Sequence, residues 1–354
     1  MSFVSIPAIS KKRIDKAGDI LAEKLSPDGF VDSPIEILNK WRLCHAYPIN
    51  TFQSTLRTKL SRGDFGEDYI VAQRLKRSST VIEKLKEIDG MRLTRMQDIA
   101  GVRAILPTIQ DVRALEAQYR DSERFTHELI NFKDYIHSPK NETGYRSLHF
   151  IYRYNNERAV AHNGLLIELQ IRTKLQHSWA TAVETMQTFI GQTIKTRDGV
   201  KGSKKWKDFF MMTSSAFAFL EGTAPVSSHS HMSQQEVFNA VALGERKLKV
   251  IEKMQAYPVA INIINKATSS NSYHLILLNM RDRRVSVESF GRDSLTEAYE
   301  KYTEFEERAK TERHLDPLLV SATAGDLQKA YSSFFVDSKE FIQNLRMIIR
   351  KSDI

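Results

Sequence analysis

From Gly164 to Arg172 the chain reads GLLIELQIR, a two-residue alternation that calls for an extended strand with two unlike faces. Leu165, Ile167, Leu169 and Ile171 share one face, and Leu166, Glu168, Gln170 and Arg172 share the other. The apolar face requires a covering layer of helices. The second face sets a carboxylate, an amide and a guanidinium in a row, which a core strand does not carry without partners. Two readings fit that row: an edge strand with a solvated polar face, or the floor of a site.

QDIAGVRAIL, residues 97–106, has the length and composition of a second buried strand, with Ile99, Val102, Ala104, Ile105 and Leu106 around one glycine. Asp98 sits at its edge, where an unpaired charge costs several kcal/mol. If these two strands are neighbours, Asp98 and Glu168 supply the oxygen ligands that Mg2+ takes together with substrate phosphates.

Two further stretches carry chemistry. In RLKRSSTVIEKLK, Arg74, Lys76 and Arg77 precede Ser78, Ser79 and Thr80, which are expected to cap a helix, and Lys84 lies one turn beyond Thr80. Cations and hydroxyls at a helix start suit phosphate oxygens. A basic, solvated helix start fits the same residues, and the glycines of a Walker loop are missing. In KDYIHSPKNETGYRSLHFIYRY, Pro139, Asn141 and Gly144 mark a turn, and the following strand is expected to place Tyr145, Ser147 and His149 on one face. An aromatic ring beside an imidazole and a loop holding Lys133, Lys140 and Arg146 suits a base and its phosphates. Taken singly, Tyr145 and His149 also fit as core residues.

Helices are expected at 8–24 and 33–62, after 77, and near 110–120. Strands are expected near 97–106, 126–132, 147–155 and 164–172, followed by helices at 174–190 and 203–221. That alternation predicts an α/β (α+β) domain, a mixed sheet flanked by helices, over residues 1–225. GTAPVSSHSHMSQQE reads as a linker and begins a segment, 226–270, that continues as a long helix at about 233–256. Residues 271–354 read as a small C-terminal α+β module: a hairpin, a helix at 293–312, the strand PLLVSA, a helix at 324–331 and a last helix at 337–350.

Charge separates front from back. Residues 271–354 hold 13 basic against 14 acidic residues, so of the formal +9 the first 270 residues carry +10. A polyanionic partner such as a nucleotide or RNA accounts for that balance, as does a basic surface without one. The single cysteine, Cys44, excludes a disulfide framework or a cysteine-rich zinc site within one chain. With no apolar run approaching ~18 residues and no secretory pattern at the start, a cytoplasmic protein is the expectation, with a monomer as the default.

These stretches resemble motifs of the RelA/SpoT-type (p)ppGpp synthetases, a family of nucleotidyltransferase-like fold. The family's RxKxxxSxxxK is similar to Arg74, Lys76, Thr80 and Lys84, with Thr in place of Ser. Its DIAGxR matches Asp98–Arg103, its DYIxxPKxNGYxSLH resembles Asp134–His149, and its ExQIRT matches Glu168–Thr173. The resemblance implies an ATP-dependent pyrophosphokinase. Arg74 and Arg103 would sandwich the adenine, while Lys76, Thr80 and Lys84 hold the phosphates. Asp98 and Glu168 would bind Mg2+, with Glu168 also deprotonating the attacking hydroxyl. Tyr145 would stack the acceptor base, and His149 and Lys140 would line the acceptor side. One departure falls in the acceptor loop: PKNETGY is one residue longer than the family's pattern.

Length and arrangement resemble the toxic small alarmone synthetases, and most the CapRel-type group of fused toxin–antitoxin proteins. That likeness implies a toxin that pyrophosphorylates the 3′-terminal adenosine of tRNA and blocks translation. It further implies a C-terminal module that restrains the toxin, with a phage protein as trigger. Lys11, Lys12 and Arg13 are the candidate contacts to the tRNA. In the module, Tyr331, Phe334 and Phe335 are the candidate brake, since an arginine face that accepts a base also accepts a phenol ring; all three also fit as core. Synthesis of (p)ppGpp or (p)ppApp on a free nucleotide is the alternative. A catalytically inactive binding regulator is a third reading, against which the intact Asp98 and Glu168 argue.

Overall fold

The alternation at 164–172 is realised as β5 (Leu166–Thr173), in which Ile167, Leu169 and Ile171 are fully buried and Glu168 and Gln170 alternate with them. The computed structural model describes residues 9–120, 125–196, 202–266, 273–279, 281–282, 284–291, 293–312, 314–321 and 337–354. Contacts divide the chain into two compact units, residues 1–136 with 146–174, and residues 137–145 with 175–354. These are not the divisions expected at 225 and 270.

In the first unit, β5 is the middle strand of a mixed sheet. Its partners are β1 (Ile70–Leu75), β2 (Ala100–Leu106), β3 (Glu128–Asp134) and β4 (Leu148–Arg153), in the order β1-β2-β5-β4-β3. Only the β2–β5 pairing is parallel. One face is closed by α3 (Ala46–Arg62) and α5 (Ile109–Arg120). Phe52, Leu56, Leu60, Val112 and Leu115 pack there on Val102, Ala104, Phe150, Ile167 and Leu169. A second cluster joins α1 (Lys11–Leu21), α2 (Pro34–Leu43) and α4 (Ser78–Glu87) through Ile14, Leu38, Trp41, Val81 and Leu85.

The helix expected over 33–62 is two helices, α2 and α3. In a continuous helix the ring of Pro48 would meet the carbonyl of Cys44 and remove a hydrogen bond. Starting α3 at Ala46 puts Pro48 in the first turn, where its missing N–H is no loss.

In the second unit, α6 (Lys174–Gln192) and α7 (Gly202–Glu221) contribute Trp179, Met186, Phe210 and Phe217 to one core. More comes from α8 (Gln234–Leu248), α9 (Val250–Lys266) and α11 (Asp337–Arg350). A four-stranded antiparallel sheet completes the unit: β6 (Thr193–Thr196), β7 (Tyr273–Asn279), β8 (Arg284–Phe290) and β9 (Leu315–Ser321), in the order β6-β9-β7-β8. Ile276 and Leu278 of β7 face the large core, while Leu275 joins Phe290, Leu319 and Tyr302 of α10 (Leu295–Thr311). The residues expected as a linker are built in: Val226 is fully buried, its N–H donating to Ser215 Oγ at 3.0 Å.

The long helix expected at 233–256 breaks at Lys249, which is left-handed at φ 55°. Leu248 and Val250 are both buried in the same core. In an unbroken helix they would point about 200° apart; the left-handed residue between them lets both turn inward. The helix expected at 324–331 lies outside the described residues. Among those described, no helix is long and apolar enough to cross a membrane.

Phe341 of α11 is fully buried, 5.9 Å from Phe210 and 5.7 Å from Phe217 between ring centroids. Phe341→Ala is expected to destabilise the second unit by about 3–5 kcal/mol, the cost of emptying a large aromatic site. A lower denaturant midpoint by tryptophan fluorescence, read in a Trp41→Phe background so that only Trp179 and Trp206 report, checks it. An unchanged midpoint would detach α11 from that core.

Candidate active site

The sheet face not covered by α3 and α5 carries two cross-strand rows. Arg74, Gly101 and Glu168 stand side by side on β1, β2 and β5. Ala72, Arg103, Gln170 and His149 form the next row on β1, β2, β5 and β4. Because residues two apart share a face, both rows open the same way. Together with Lys76, Thr80 and Asp98 they line a single cavity, His149 excepted. At Gly101 a Cβ would meet Glu168 at ordinary contact distance, 3.7 Å from a carboxylate oxygen, so the glycine lies directly beside that side chain.

Asp98 lies just before β2 and meets two ammonium groups, Lys76 Nζ at 2.6 Å and Lys84 Nζ at 2.9 Å, one on each carboxylate oxygen. Burial alone would push its pKa up, but the hydrogen bonds and charges of Lys76 and Lys84 outweigh it and hold Asp98 below the usual carboxylate value. The backbone sets this geometry, since the Lys76 N–H donates to the carbonyl of Ile99 at 2.8 Å. Lys84 arrives from α4, which Val81 and Leu85 anchor in the core. The expected caps do not cap. Arg77 is the N-cap residue, and its side chain makes no cap hydrogen bond. Ser78 Oγ instead bonds Asn39 and Arg42 of α2.

Glu168 is held by both oxygens. His149 Nδ1 lies 2.8 Å from Oε1, donating because an ionised carboxylate only accepts. Gln170 Nε2 donates to Oε2 at 2.8 Å, and Arg103 Nε donates to Gln170 Oε1 at 3.1 Å. Arg103, Gln170, Glu168 and His149 thus form one hydrogen-bonded chain across three strands. Gln170 was readable only as one member of a polar face. Its role comes from standing opposite both Arg103 and His149, a register that the sequence does not display.

Tyr145 and Lys140 belong to the second unit, and Tyr145 is not in a strand. Its partly buried ring packs on that unit's core, with Lys140 Nζ 5.5 Å from the ring centroid. Lys11, Lys12 and Arg13 are exposed at the start of α1, and Arg13 is paired with Asp32. Tyr331, Phe334 and Phe335 lie outside the described residues. No group of three or more His, Cys, Asp or Glu side chains suited to a metal occurs among the described residues. Asp98 and Glu168 do offer carboxylate oxygens to one cavity, a donor set that fits Mg2+ completed by phosphate and water.

Residues 73–189 match the family described as a region found in RelA / SpoT proteins. Over 113 residues the chain is 33% identical to the GTP pyrophosphokinase YjbM of Bacillus subtilis (strain 168), across 31% of this chain and 52% of that protein. It is 26% identical over 196 residues to the uncharacterized protein Rv1366 of Mycobacterium tuberculosis (strain ATCC 25618 / H37Rv), across 54% of this chain and 63% of that one. The chain therefore spans between about half and two-thirds of these relatives. The solved structure of small alarmone synthetase 1 from Bacillus subtilis bound to its product pppGpp is similar with a TM-score of 0.45 and 23% identity. That alignment covers 53% of this chain and 94% of that one.

Asp98→Asn leaves Lys76 and Lys84 facing each other without a counter-charge. At neutral pH it is expected to cost about 1–3 kcal/mol, less than a fully buried pair because Asp98 is one-quarter exposed. Since the folded-state pKa of Asp98 is depressed, its stabilisation is complete above the ordinary carboxylate pKa and is lost as pH falls through the folded value. Denaturant unfolding across pH 2–7 (on the order of the carboxylate range) should show wild type and variant converging in acid. A gap that stays constant with pH would remove Asp98 as its source.

Proposed function

We propose that this chain is an ATP-dependent pyrophosphokinase that transfers the pyrophosphate of ATP to the 3′-hydroxyl of the tRNA 3′-terminal adenosine, blocking translation. The observation that carries the chemistry is one sheet face holding both a cationic pocket and a carboxylate fixed through both its oxygens. Arg74, opposite Gly101 on β1, and Arg103, two residues beyond Gly101 on β2, offer guanidinium planes to the adenine. Lys76, Thr80, Lys84 and the uncapped start of α4 suit the phosphate oxygens.

Glu168 is the base for the attacking hydroxyl, and His149 and Gln170 keep its oxygens aimed. The 3′-oxygen forms a bond to the β-phosphorus, the bond from that phosphorus to the α–β bridging oxygen breaks, and AMP leaves. Glu168 takes the hydroxyl proton, and the lysines offset charge on the phosphates. Such a transfer depends on positioning and electrostatics, which this set of residues supplies. Asp98 and Glu168 are the residues that would hold Mg2+, which neutralises phosphate charge when bound.

The tRNA acceptor is favoured by the net +10 over the first 270 residues, with Lys11 and Lys12 exposed in α1. Lys140 and Tyr145 are assigned to the acceptor on the family resemblance. A free guanine or adenine nucleotide as acceptor is the second reading, favoured by the 33% identity to a GTP pyrophosphokinase. Restraint by the C-terminal residues, and release by a phage protein, are proposed on the likeness to CapRel-type proteins.

With γ-labelled ATP, purified full-length protein is expected to label tRNA at its 3′ end and release AMP. Label in GDP or GTP products instead would select the second reading, and label in neither, with AMP absent, would refute a pyrophosphokinase. Glu168→Gln, nearly isosteric, should abolish transfer while leaving the melting temperature unchanged; near wild-type transfer would remove Glu168 from the chemistry. Reversing Lys11, Lys12 and Arg13 to Glu should weaken labelling of tRNA and spare any labelling of free nucleotides. Equal loss on both would show that these residues do not contact tRNA.

A further inference from the structure

We infer that Arg42, acting with Asn39 and Ser78, is a positioning residue for the phosphate end of the pocket. The inference rests on the reading above that this pocket takes ATP. Arg42 lies on α2 and does not line the cavity. Its Nε donates to the carbonyl of Lys76 at 2.7 Å, and its Nη1 donates to Ser78 Oγ at 2.7 Å and to Asn39 Oδ1 at 3.1 Å. Ser78 Oγ in turn donates to Asn39 Oδ1 at 2.9 Å.

Two consequences meet at the junction between β1 and α4. Lys76 is clamped from both sides, its N–H on Ile99 and its carbonyl under Arg42, so its side chain leaves the backbone in the direction of Asp98. Ser78 is the first residue of this helix, and its hydroxyl is engaged by α2. It accepts from Arg42 and donates its one proton to Asn39, which keeps it from turning onto the first-turn N–H groups of α4. Those groups receive no cap from the N-cap side chain and lie where an anion would bind.

The chemistry of Arg42 also departs from that of a structural ion pair. All its acceptors are neutral oxygens, and no carboxylate pairs with it among the described residues. Burial pulls its pKa down, yet arginine keeps its charge at neutral pH, so the guanidinium adds positive potential behind the helix start. Asn39 and Arg42 sit three residues apart on one face of α2. Leu38 and Trp41 of the same helix pack in the cluster that holds Val81 and Leu85 of α4, so the latch is carried on a packed support.

Calorimetric ATP affinity of the full-length protein tests this, beside thermal melting. Arg42→Gln is expected to weaken ATP about tenfold, the scale of one charge-assisted hydrogen bond. Arg42→Lys, which cannot fork, should be intermediate. Ser78→Ala added to Arg42→Gln should change little further, because the two act as one unit. Lys76→Ala is the control. If it leaves ATP affinity unchanged, the ATP reading of the pocket fails. If it weakens ATP while Arg42→Gln lowers only the melting temperature, Arg42 is merely structural and the inference is overturned. Should Arg42→Gln not fold, Asn39→Ala and Ser78→Ala keep the charge and read the same latch; unchanged ATP affinity in both would overturn it.

Discussion

A carboxylate at the edge of a buried strand has to be matched by cations brought from elsewhere, and in this protein that need organises the first unit. Asp98 precedes the strand that pairs in parallel with β5, and its partners arrive from the turn after β1 and from the face of α4. Three elements are thereby tied to one acidic side chain: the antiparallel edge formed by β1, the start of α4 and the beginning of β2. Removing either lysine would leave a partly desolvated charge underused, and removing Asp98 would set two ammonium groups against each other. The arrangement is held by its own charges, with Asp98 kept below the usual carboxylate value by the two lysines.

The parts of this protein governed by local periodicity were readable before the fold was known. The strand at 164–172, the apolar run after Asp98, the helices after 77 and near 110–120, and the hairpin after 271 all appear within a few residues of expectation. Order within the sheet was not readable. Gln170 becomes a hinge of the hydrogen-bonded chain only because β2 and β4 both align on it. Breaks decided by packing were hidden as well. Nothing about Lys249 marks a left-handed residue; the reason lies in two flanking apolar side chains that seek the same core. Pro48, by contrast, was a visible signal for a break in the 33–62 segment.

Tyr145 is the clearest case of a local reading displaced by a tertiary one. The alternation Tyr145, Ser147, His149 looked like one strand face, but the strand begins at Leu148. Before it, the loop closes on itself: Thr143 and Gly144 N–H both donate to the carbonyl of Lys140, and Gly144 is left-handed at φ +80°. Ser214 of α7 donates to the Gly144 carbonyl at 2.6 Å, and a Cβ at Gly144 would stand 3.0 Å from that serine. The segment PKNETGY lies in this closed loop, which ends before β4 begins.

The core of the second unit is assembled from distant parts of the chain: α6 and α7 supply one wall, and Phe341, Ile342, Leu345 and Ile348 of α11 fill it. This imposes an order in time during synthesis. Chain emerging from the ribosome can close the sheet of the first unit once residue 174 is available, because every strand of that sheet precedes it. The second unit must wait, with Trp206, Phe210 and Phe217 unsheltered, until α11 has been made. For that interval the nascent protein holds its cationic cavity ready while the aromatic wall beside α11 is still open to other apolar surfaces, including chaperones.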